Sequence, residues 1–419
     1  MPSVLLTPVP DSASEDLQAY RASGGWEGLR SAVTSMRPLE VIATLADADL
    51  RGRGGAAFPT ARKWELAAAA LGTPRYVVAN GGEHEPGSLK DRLLVAKHPH
   101  RVLEGMALCA YATGASEGVL YLIEDMSEAI GRAERAIREA RAAGLLGDRI
   151  HGGDLSFDVR IVKAPPTYVA GEETAALEVI EGRRAWPRRK PPYPGQSGLY
   201  GKPTTVNNVE TLACVPGILR LGAGWFRSLG RRGGSGTMLF TLDARVNRPG
   251  VHELPVGSTF RELIEGAGGG TRSGRAVRAI LPAMSSAFLP AASLDSPMTH
   301  DAIRAAGSGL GCGGVTFVEE GECLVERALQ IAEFFKREQC GQCPACRMQT
   351  GTVAVVLGQV RGGGAGDYGG QVDRIVEFAR GKGYCSLPAM AAAPVQSALR
   401  LFPEDFARHA VSGTCPHEA

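Results

Sequence analysis

The chain has 419 residues, 44% of them hydrophobic and 21% charged, a length and balance suited to two or three well-buried domains. Lys and Arg number 46 against 44 Asp and Glu, a formal charge of +2, which leaves no electrostatic footprint for nucleic acid. The longest apolar runs, "LAAAAL" and "VAVVL", fall far short of the roughly 18 residues that cross a bilayer, so direct membrane insertion is excluded.

The opening stretch, "MPSVLLTPVPDSASEDL", has no basic region and is interrupted by prolines, unlike a signal peptide. Nine cysteines in a large chain without an export signal predict reduced thiols and a cytoplasmic location. The 55 glycines exceed the average share of about 7% and predict tight turns, or backbone brought close to a ligand.

In chain order, "VIATLADADL" (41–50) reads as a helix, and "RGRGGAAFPTARKW" (51–64) contains Gly52-x-Gly54-x-x-Ala57. A dinucleotide fingerprint follows a strand; a helix precedes this loop, so the ordinary Rossmann reading is weak. A glycine loop followed by Lys63 can still cradle a phosphate, and a tight interhelical turn is the plainer alternative. "YVVA" (76–79) reads as a short buried strand. The polar "ANGGEHEPGSLKDR" (79–92) follows it, where α/β sheets present ligand groups. Asn80, Glu83 and Glu85 are therefore candidate partners for a ribose or flavin.

"HRVLEGMALCAYATG" has helical spacing and "VLYLI" (119–123) reads as a second strand. Asp125 or Ser127 is expected to cap the next helix, with Ile130, Ala133, Ile137 and Ala140 on its buried face and Gly144 as its stop. "FDVRIVK" (157–163) alternates Phe157, Val159 and Ile161 inward, as a half-buried strand does. "YVAGEETAA" (168–176) begins a helix with Glu172 and Glu173, which in a first turn are commonly dipole partners. "GKPTTVNNVETL" (201–212) places Thr204, Thr205, Asn207 and Asn208 ahead of a helix. That suits a bound phosphate, although capping by one Asn is the commoner explanation.

This α/β material ends near 232, and "RRGGSG" (231–236) reads as a linker. "MLFTLDA", "VHELP" and "TFRELIEGA" predict two strands and a helix in a small α+β domain at 237–320. From Leu324 the pattern is almost wholly helical. "LVERALQIAEFFKREQ" leads into a cysteine loop, and helices near 347–359, 370–380 and 388–400 complete a short bundle at 324–419.

"CGQCPACR" spaces Cys340, Cys343 and Cys346 as C-x2-C-x2-C, and Cys385 in "GKGYCSLP" supplies a remote fourth thiol. A structural zinc usually takes two C-x2-C knuckles, whereas three evenly spaced cysteines plus a distant one suit a [4Fe–4S] cube. A zinc site or unmetallated thiols are the alternatives. Gly341 and Pro344 would turn the loop, and Arg347 would bring positive charge to the cluster. Of the other cysteines, at 109, 214, 312, 323 and 415, the first two sit in apolar helical stretches as core residues do.

Taken together, "LRGRGGAAFPT", "EPGSLKDR", "HPHRVLEGM", "GEETA", "GKPTTVNNVETL" and "CGQCPACR" resemble the NADH-binding flavoprotein subunit of respiratory complex I. Related subunits of NAD-linked hydrogenases and formate dehydrogenases share the pattern, and the likeness runs along nearly the whole chain. The resemblance implies a multi-domain α/β protein: a non-Rossmann FMN- and NADH-binding domain (1–232), a ubiquitin-like β-grasp domain (237–320) and a helical bundle (324–419) carrying one [4Fe–4S] cluster. By the same resemblance Gly52, Gly54, Lys63, Asn80, Glu83, Tyr168, Gly171, Glu172, Asn207 and Asn208 match flavin-site positions. Phe58, Glu85, Glu173, Lys190 and Tyr193 match the NADH cavity, and Cys340, Cys343, Cys346 and Cys385 match the cluster ligands.

The implied activity is transfer of a hydride from NADH to the flavin and of single electrons onward to the cluster. No catalytic acid–base residue is required. The implied partner is a separate redox protein, a [2Fe–2S] protein, docked near Cys346 or Cys385 in a hetero-oligomer that partners attach to a membrane complex. Several positions depart from the family pattern. Gly82 stands where a flavin-site carboxylate is usual and His84 where a small residue is usual; Leu66 replaces an aromatic, Tyr193 a Phe, and Ala57 and Ala61 glycines. They point to a divergent paralogue. They also leave an alternative, a non-flavin accessory electron relay or scaffold protein that keeps only the cluster; a zinc-stabilised binding protein is a third.

Overall fold

The computed structural model of the protein describes residues 4–10, 13–364 and 366–414; Cys415 lies outside them. The first part is built on four parallel strands, β1 (Tyr76–Gly81), β2 (Glu117–Ile123), β3 (Asp158–Ala164) and β4 (Thr204–Asn208), in the order β3-β2-β1-β4. The two central strands are covered on both faces, so Val77, Val78 and Ala79 and then Val119 to Leu122 form continuous buried runs. The edge strand β3 alternates: Phe157 and Val159 are buried, Ile161 half-buried.

β4 occupies a segment that reads in sequence as a polar cap. Its polar side chains sit inside because pairing with β1, from Tyr76↔Thr204 to Asn80↔Asn208, satisfies the backbone. Thr204 Oγ1 also accepts the Leu199 N–H at 2.8 Å. With all four strands parallel, their carboxyl ends share one edge, where open α/β sheets form ligand crevices.

The Pro99–Thr113 helix is buried along almost its whole length, as its unbroken apolar run implies. The Ser127–Ala142 helix buries Ala129, Ile130, Ala133, Ala136, Ile137 and Ala140 as expected. Its cap differs: Met126 holds that position, without a side-chain bond, and neither Asp125 nor Ser127 caps it. Gly144 follows the helix with φ +67°, the left-handed turn that favours glycine.

The middle of the chain has more strands than expected. β5 (Thr237–Leu242) pairs antiparallel with β6 (Gly250–Pro255), and β7 (Val277–Leu281), β8 (Leu289–Pro290) and β9 (Thr316–Glu319) form a second antiparallel sheet. The Thr241 N–H donates to Gly313 O at 2.8 Å and the Val315 N–H to Thr241 O at 3.1 Å, tying the two sheets together. "TFRELIEGA" forms only a wide-turn helical stretch, Glu262–Ala267.

Four helices, Leu324–Glu338, Pro344–Arg361, Tyr368–Ala379 and Leu387–Leu401, lie where the sequence places helices, and Pro403–Ser412 adds a fifth. Phe335, Leu357, Val372, Val395 and Phe406 share one apolar core with Val169 and Ala175 from the first part and Ala279 and Leu281 from β7. The helical region is thus packed directly against the 168–175 segment. Among the described residues no helix is long and apolar enough to cross a membrane.

His300 opens the His300–Ala305 helix and is buried, and its Nε2 has no hydrogen-bond partner among the described residues. Burial, then the charges of Arg53 and Arg51, lower its pKa to about 4. An unfolded His titrates near 6.5, so the unfolded chain binds the extra proton first. Stability held above about pH 6.5 is therefore lost as pH falls toward 4. Melting curves across this range should show a shallower decline for His300→Gln, by up to one proton, about 1.4 kcal/mol per pH unit. Parallel curves would refute the assignment.

Candidate functional site

The carboxyl ends of β1 and β4 lie side by side and carry Asn80, Asn207 and Asn208. Asn80 Nδ2 donates to Gly171 O at 3.0 Å, and its Oδ1 accepts the Gly82 N–H at 3.0 Å. Asn208 Nδ2 donates to Asn80 O at 3.2 Å and to Asp91 Oδ2 at 2.7 Å. Its Oδ1 accepts the Glu210 N–H at 3.0 Å and caps the Val209–Leu221 helix. Asn207 Oδ1 accepts from Trp64 Nε1 at 2.9 Å, and Lys63 Nζ donates to Val206 O at 2.9 Å.

The glycine loop arrives from a helix, Pro38–Asp47, and opens another, Thr60–Ala69, so it is indeed not a Rossmann turn. The Gly52 N–H donates to Phe58 O at 3.0 Å and closes the loop. A Cβ on Gly54 would stand 3.2 Å from Asn208 Cβ, a tight contact, so glycine lets the loop lie close to the strand end. Gly52, Gly54, Lys63, Asn80, Gly171, Asn207 and Asn208 are thus brought together. Backbone N–H groups, an ammonium and carboxamides form a donor set suited to an anionic, polyhydroxylated ligand.

Glu83 is engaged differently from the sequence expectation. It is buried and accepts Ser88 Oγ at 2.6 Å and the N–H groups of Asp91 at 2.9 Å and Arg92 at 3.1 Å. It therefore holds the start of the Lys90–Lys97 helix. That helix brings in Lys90, fully buried, whose Nζ lies 2.7 Å from Asp91 Oδ1, 2.8 Å from Glu210 Oε2 and 3.2 Å from Asn208 Oδ1. Burial disfavours this ammonium, but Asp91 and Glu210 outweigh it and raise its pKa. Lys90, Asp91 and Glu210 were not singled out in the sequence. A charged pair in "LKDR" looks like any solvated helix start, and only the fold reveals its burial.

The 168–173 segment forms the opposite wall. Glu172 accepts the Thr174 and Ala175 N–H groups at 2.8 and 2.9 Å, capping the Glu173–Ile180 helix. Lys190 Nζ reaches Glu172 at 2.9 Å and Glu173 at 3.1 Å, and Lys63 lies 3.7 Å from Glu173. Burial works against ionised Glu173, but Lys63 and Lys190 prevail and lower its pKa. Tyr168 donates its hydroxyl to Glu85 at 2.8 Å, and Glu85 also accepts the Ser285 N–H and Oγ at 3.2 and 3.1 Å. Ser285 comes from the loop between β7 and β8, for which no local sequence signal exists. Phe58 (44% exposed), Leu66 (46%) and Tyr193 (57%) remain on the surface.

The four cysteines line one small pocket together with Gln339, Gly341, Tyr384, Leu387 and Pro187. Gly341 takes φ +83° to turn the loop, and Pro344 opens the following helix. Cys343 Sγ accepts the Tyr384 N–H at 3.4 Å. Burial pushes Cys346 up to about 12, reinforced by the charges of Cys385, Cys343 and Cys340. Burial likewise pushes Cys385 up to about 11, with Glu172 adding to the rise. Four thiols around one apolar pocket form a donor set suited to a soft metal centre. Four thiols on one pocket match the number of ligands that a [4Fe–4S] cube takes. Arg347, next to Cys346, is exposed and is not among the residues lining the pocket. Cys109 and Cys214 are core residues as expected.

Residues 45–217 match the family model described as the Nuo51 FMN-binding domain, residues 244–283 the SLBB domain, and residues 326–409 the NADH-ubiquinone oxidoreductase-F iron-sulfur binding region. A Rhizobium meliloti protein, the second of that organism's NADH-quinone oxidoreductase F subunits by name, is 41% identical over 416 residues, covering 99% of each chain. The F subunit of Escherichia coli NADH-quinone oxidoreductase is 40% identical over 397 residues, 93% of this chain and 88% of its own. Among solved structures, an NAD+-reducing [NiFe]-hydrogenase in the air-oxidized state superposes with a TM-score of 0.80 at 30% identity. It covers 91% of this chain, which spans 65% of that hydrogenase chain.

Proposed function

The chain belongs to the family of NADH-quinone oxidoreductase F subunits, and from that membership we propose that it is an NADH-oxidising flavoprotein that feeds electrons to a partner redox protein. The observation that carries the reading is a shared wall. Gly171, hydrogen-bonded to Asn80 in the crevice, is followed by Glu172, whose charge acts on Cys385 in the four-thiol cavity. Tyr168, three residues before Gly171, donates its backbone N–H to Glu338 at 3.2 Å, next to cavity-lining Gln339.

When bound, FMN would supply acceptance of one hydride, with its two electrons, from NADH, and the [4Fe–4S] cluster would supply one-electron steps. The chain's own residues do the rest. The glycine loop at Gly52 and Gly54, with Lys63, Asn80, Asn207 and Asn208, would hold the flavin nucleotide. Tyr168, Gly171 and Glu172 would form its other wall, and Glu83 holds the start of the Lys90–Lys97 helix. Phe58, Glu85, Glu173, Lys190 and Tyr193 bind and orient the nicotinamide nucleotide, excluding water at reacting distance. Cys340, Cys343, Cys346 and Cys385 hold the cluster. No side chain moves a proton in a hydride transfer of this kind.

In this reading residues 1–232 bind FMN and NADH, 237–320 form a β-grasp unit and 324–419 carry the cluster. The SLBB match at 244–283 and the linkage of β5 to residues 313–315 support the middle assignment. The partner is a [2Fe–2S] protein docked near Cys346 or Cys385 within a hetero-oligomer in the cytoplasm. Gly82, His84 and Leu66 mark the chain as a divergent paralogue.

A visible spectrum of anaerobically purified protein, before and after NADH, tests the reading. Flavin bands that bleach over a cluster background are expected. A cluster spectrum lacking flavin would instead support the relay protein, and a colourless, zinc-containing protein would overturn both.

A further inference from the structure

His84 stands beyond the end of β1, in the turn between that strand and the Lys90–Lys97 helix, where Asp125 and Glu338 are the charged groups acting on it. Its Nε2 is buried and finds no hydrogen-bond partner among the described residues. Two polar side chains beside it, Asn80 and Tyr121, already have partners. Asn80 bonds Gly171 O and the Gly82 N–H, and the Tyr121 hydroxyl donates to Ala170 O at 3.1 Å.

Two glycines make room for the ring. A Cβ on Gly171 would meet His84 Cδ2 at 3.0 Å. A Cβ on Gly82 would meet His84 Nε2 at 3.2 Å, Tyr121 Cε1 at 3.1 Å and Asn80 Oδ1 at 3.0 Å. Neither glycine has a left-handed φ, so space, not backbone freedom, is what the missing side chains provide. If His84 only packed the wall, an apolar side chain would serve better, because a buried unpaired nitrogen is costly. Burial lowers the ring's pKa to about 4, so at neutral pH it is uncharged, with one N–H donor and one lone pair.

We propose that His84 is a flavin-contacting residue, its Nε2 forming a hydrogen bond with a polar atom of the bound FMN from the space that Gly82 and Gly171 keep open. The proposal rests on the crevice being the flavin site. It gives a specific sense to the departures at 82 and 84: a glycine opens the space and an uncharged ring fills it.

The test uses the full chain purified anaerobically with its cluster, as wild type, His84→Met and His84→Gln. Both replacements fill the space, but only Gln offers strong donors and acceptors. FMN dissociation constants from fluorescence titration of the flavin-depleted protein are the readout, with melting temperature and cluster EPR as controls for folding. His84→Met should weaken FMN binding about tenfold, and His84→Gln should stay within about threefold of wild type. Equal affinities for Met and wild type, or equal losses for Met and Gln, would overturn the assignment. Wild-type protein that binds no FMN would overturn the functional reading itself, whereas FMN binding indifferent to His84→Met would remove only this contact.

Discussion

Cys343→Ala abolishes the low-temperature EPR signal of the cluster and leaves flavin bound. Cys343 is one of four thiols on the cavity wall, and the Tyr384 N–H is directed at its sulfur, a second-layer contact of the kind that tunes cluster potential. Losing even an outer partner of a metal ligand costs roughly 10–100-fold in metal affinity; losing the ligand itself costs more. The crevice residues take no support from Cys343, so NADH should still bleach the flavin while electron delivery to a partner stops. Iron analysis, EPR and the flavin spectrum of the same sample separate the two effects. An unchanged EPR signal would show the ligand set to be wrong.

The second large effect is expected for Lys90→Met. The variant leaves Asp91 and Glu210 facing each other in a fully buried site where Lys90 now lies 2.7 and 2.8 Å from them. Removing one member of a buried charge group costs about 3–5 kcal/mol because the remaining charges are left without compensation. Glu210 also accepts the Leu239 N–H at 2.9 Å, so the damage reaches β5. Asn208 Oδ1 loses its 3.2 Å ammonium donor at the same time, and FMN retention should fall with stability. Chemical denaturation of Lys90→Met and of Lys90→Met/Glu210→Gln checks this, the double variant recovering part of the loss. A single-variant change below about 1 kcal/mol would show that the network contributes little.

The apolar periodicities carried the central strands, the Ser127–Ala142 face and four C-terminal helices, because burial of a repeating stripe is a local pattern. β4 escaped because "TTVNN" is polar, and its place inside comes from pairing with β1, a non-local cause. The short strands β7, β8 and β9 escaped for a similar reason: register with distant partners, not periodicity, defines them. The cysteine spacing was legible because a metal cluster imposes its geometry on sequence, and the four thiols do share a cavity. Glu83 was legible as a candidate ligand partner but not as the holder of the Lys90–Lys97 helix start. Ser285 on Glu85, and the unpaired His84 Nε2, depend on contacts across 200 residues or on neighbouring glycines, which no window of sequence displays.

The Leu324–Glu338 helix ends with Glu338 gripping the backbone of Tyr168, and the next residue, Gln339, already borders the thiol cavity. Phe334 and Phe335 wedge edge-on against the Tyr168 ring, with centroids 5.2 and 5.7 Å away. A single stiff strut therefore spaces the two redox stations. Movement of the outer loops can therefore leave the spacing between the crevice wall and the thiol cavity unchanged.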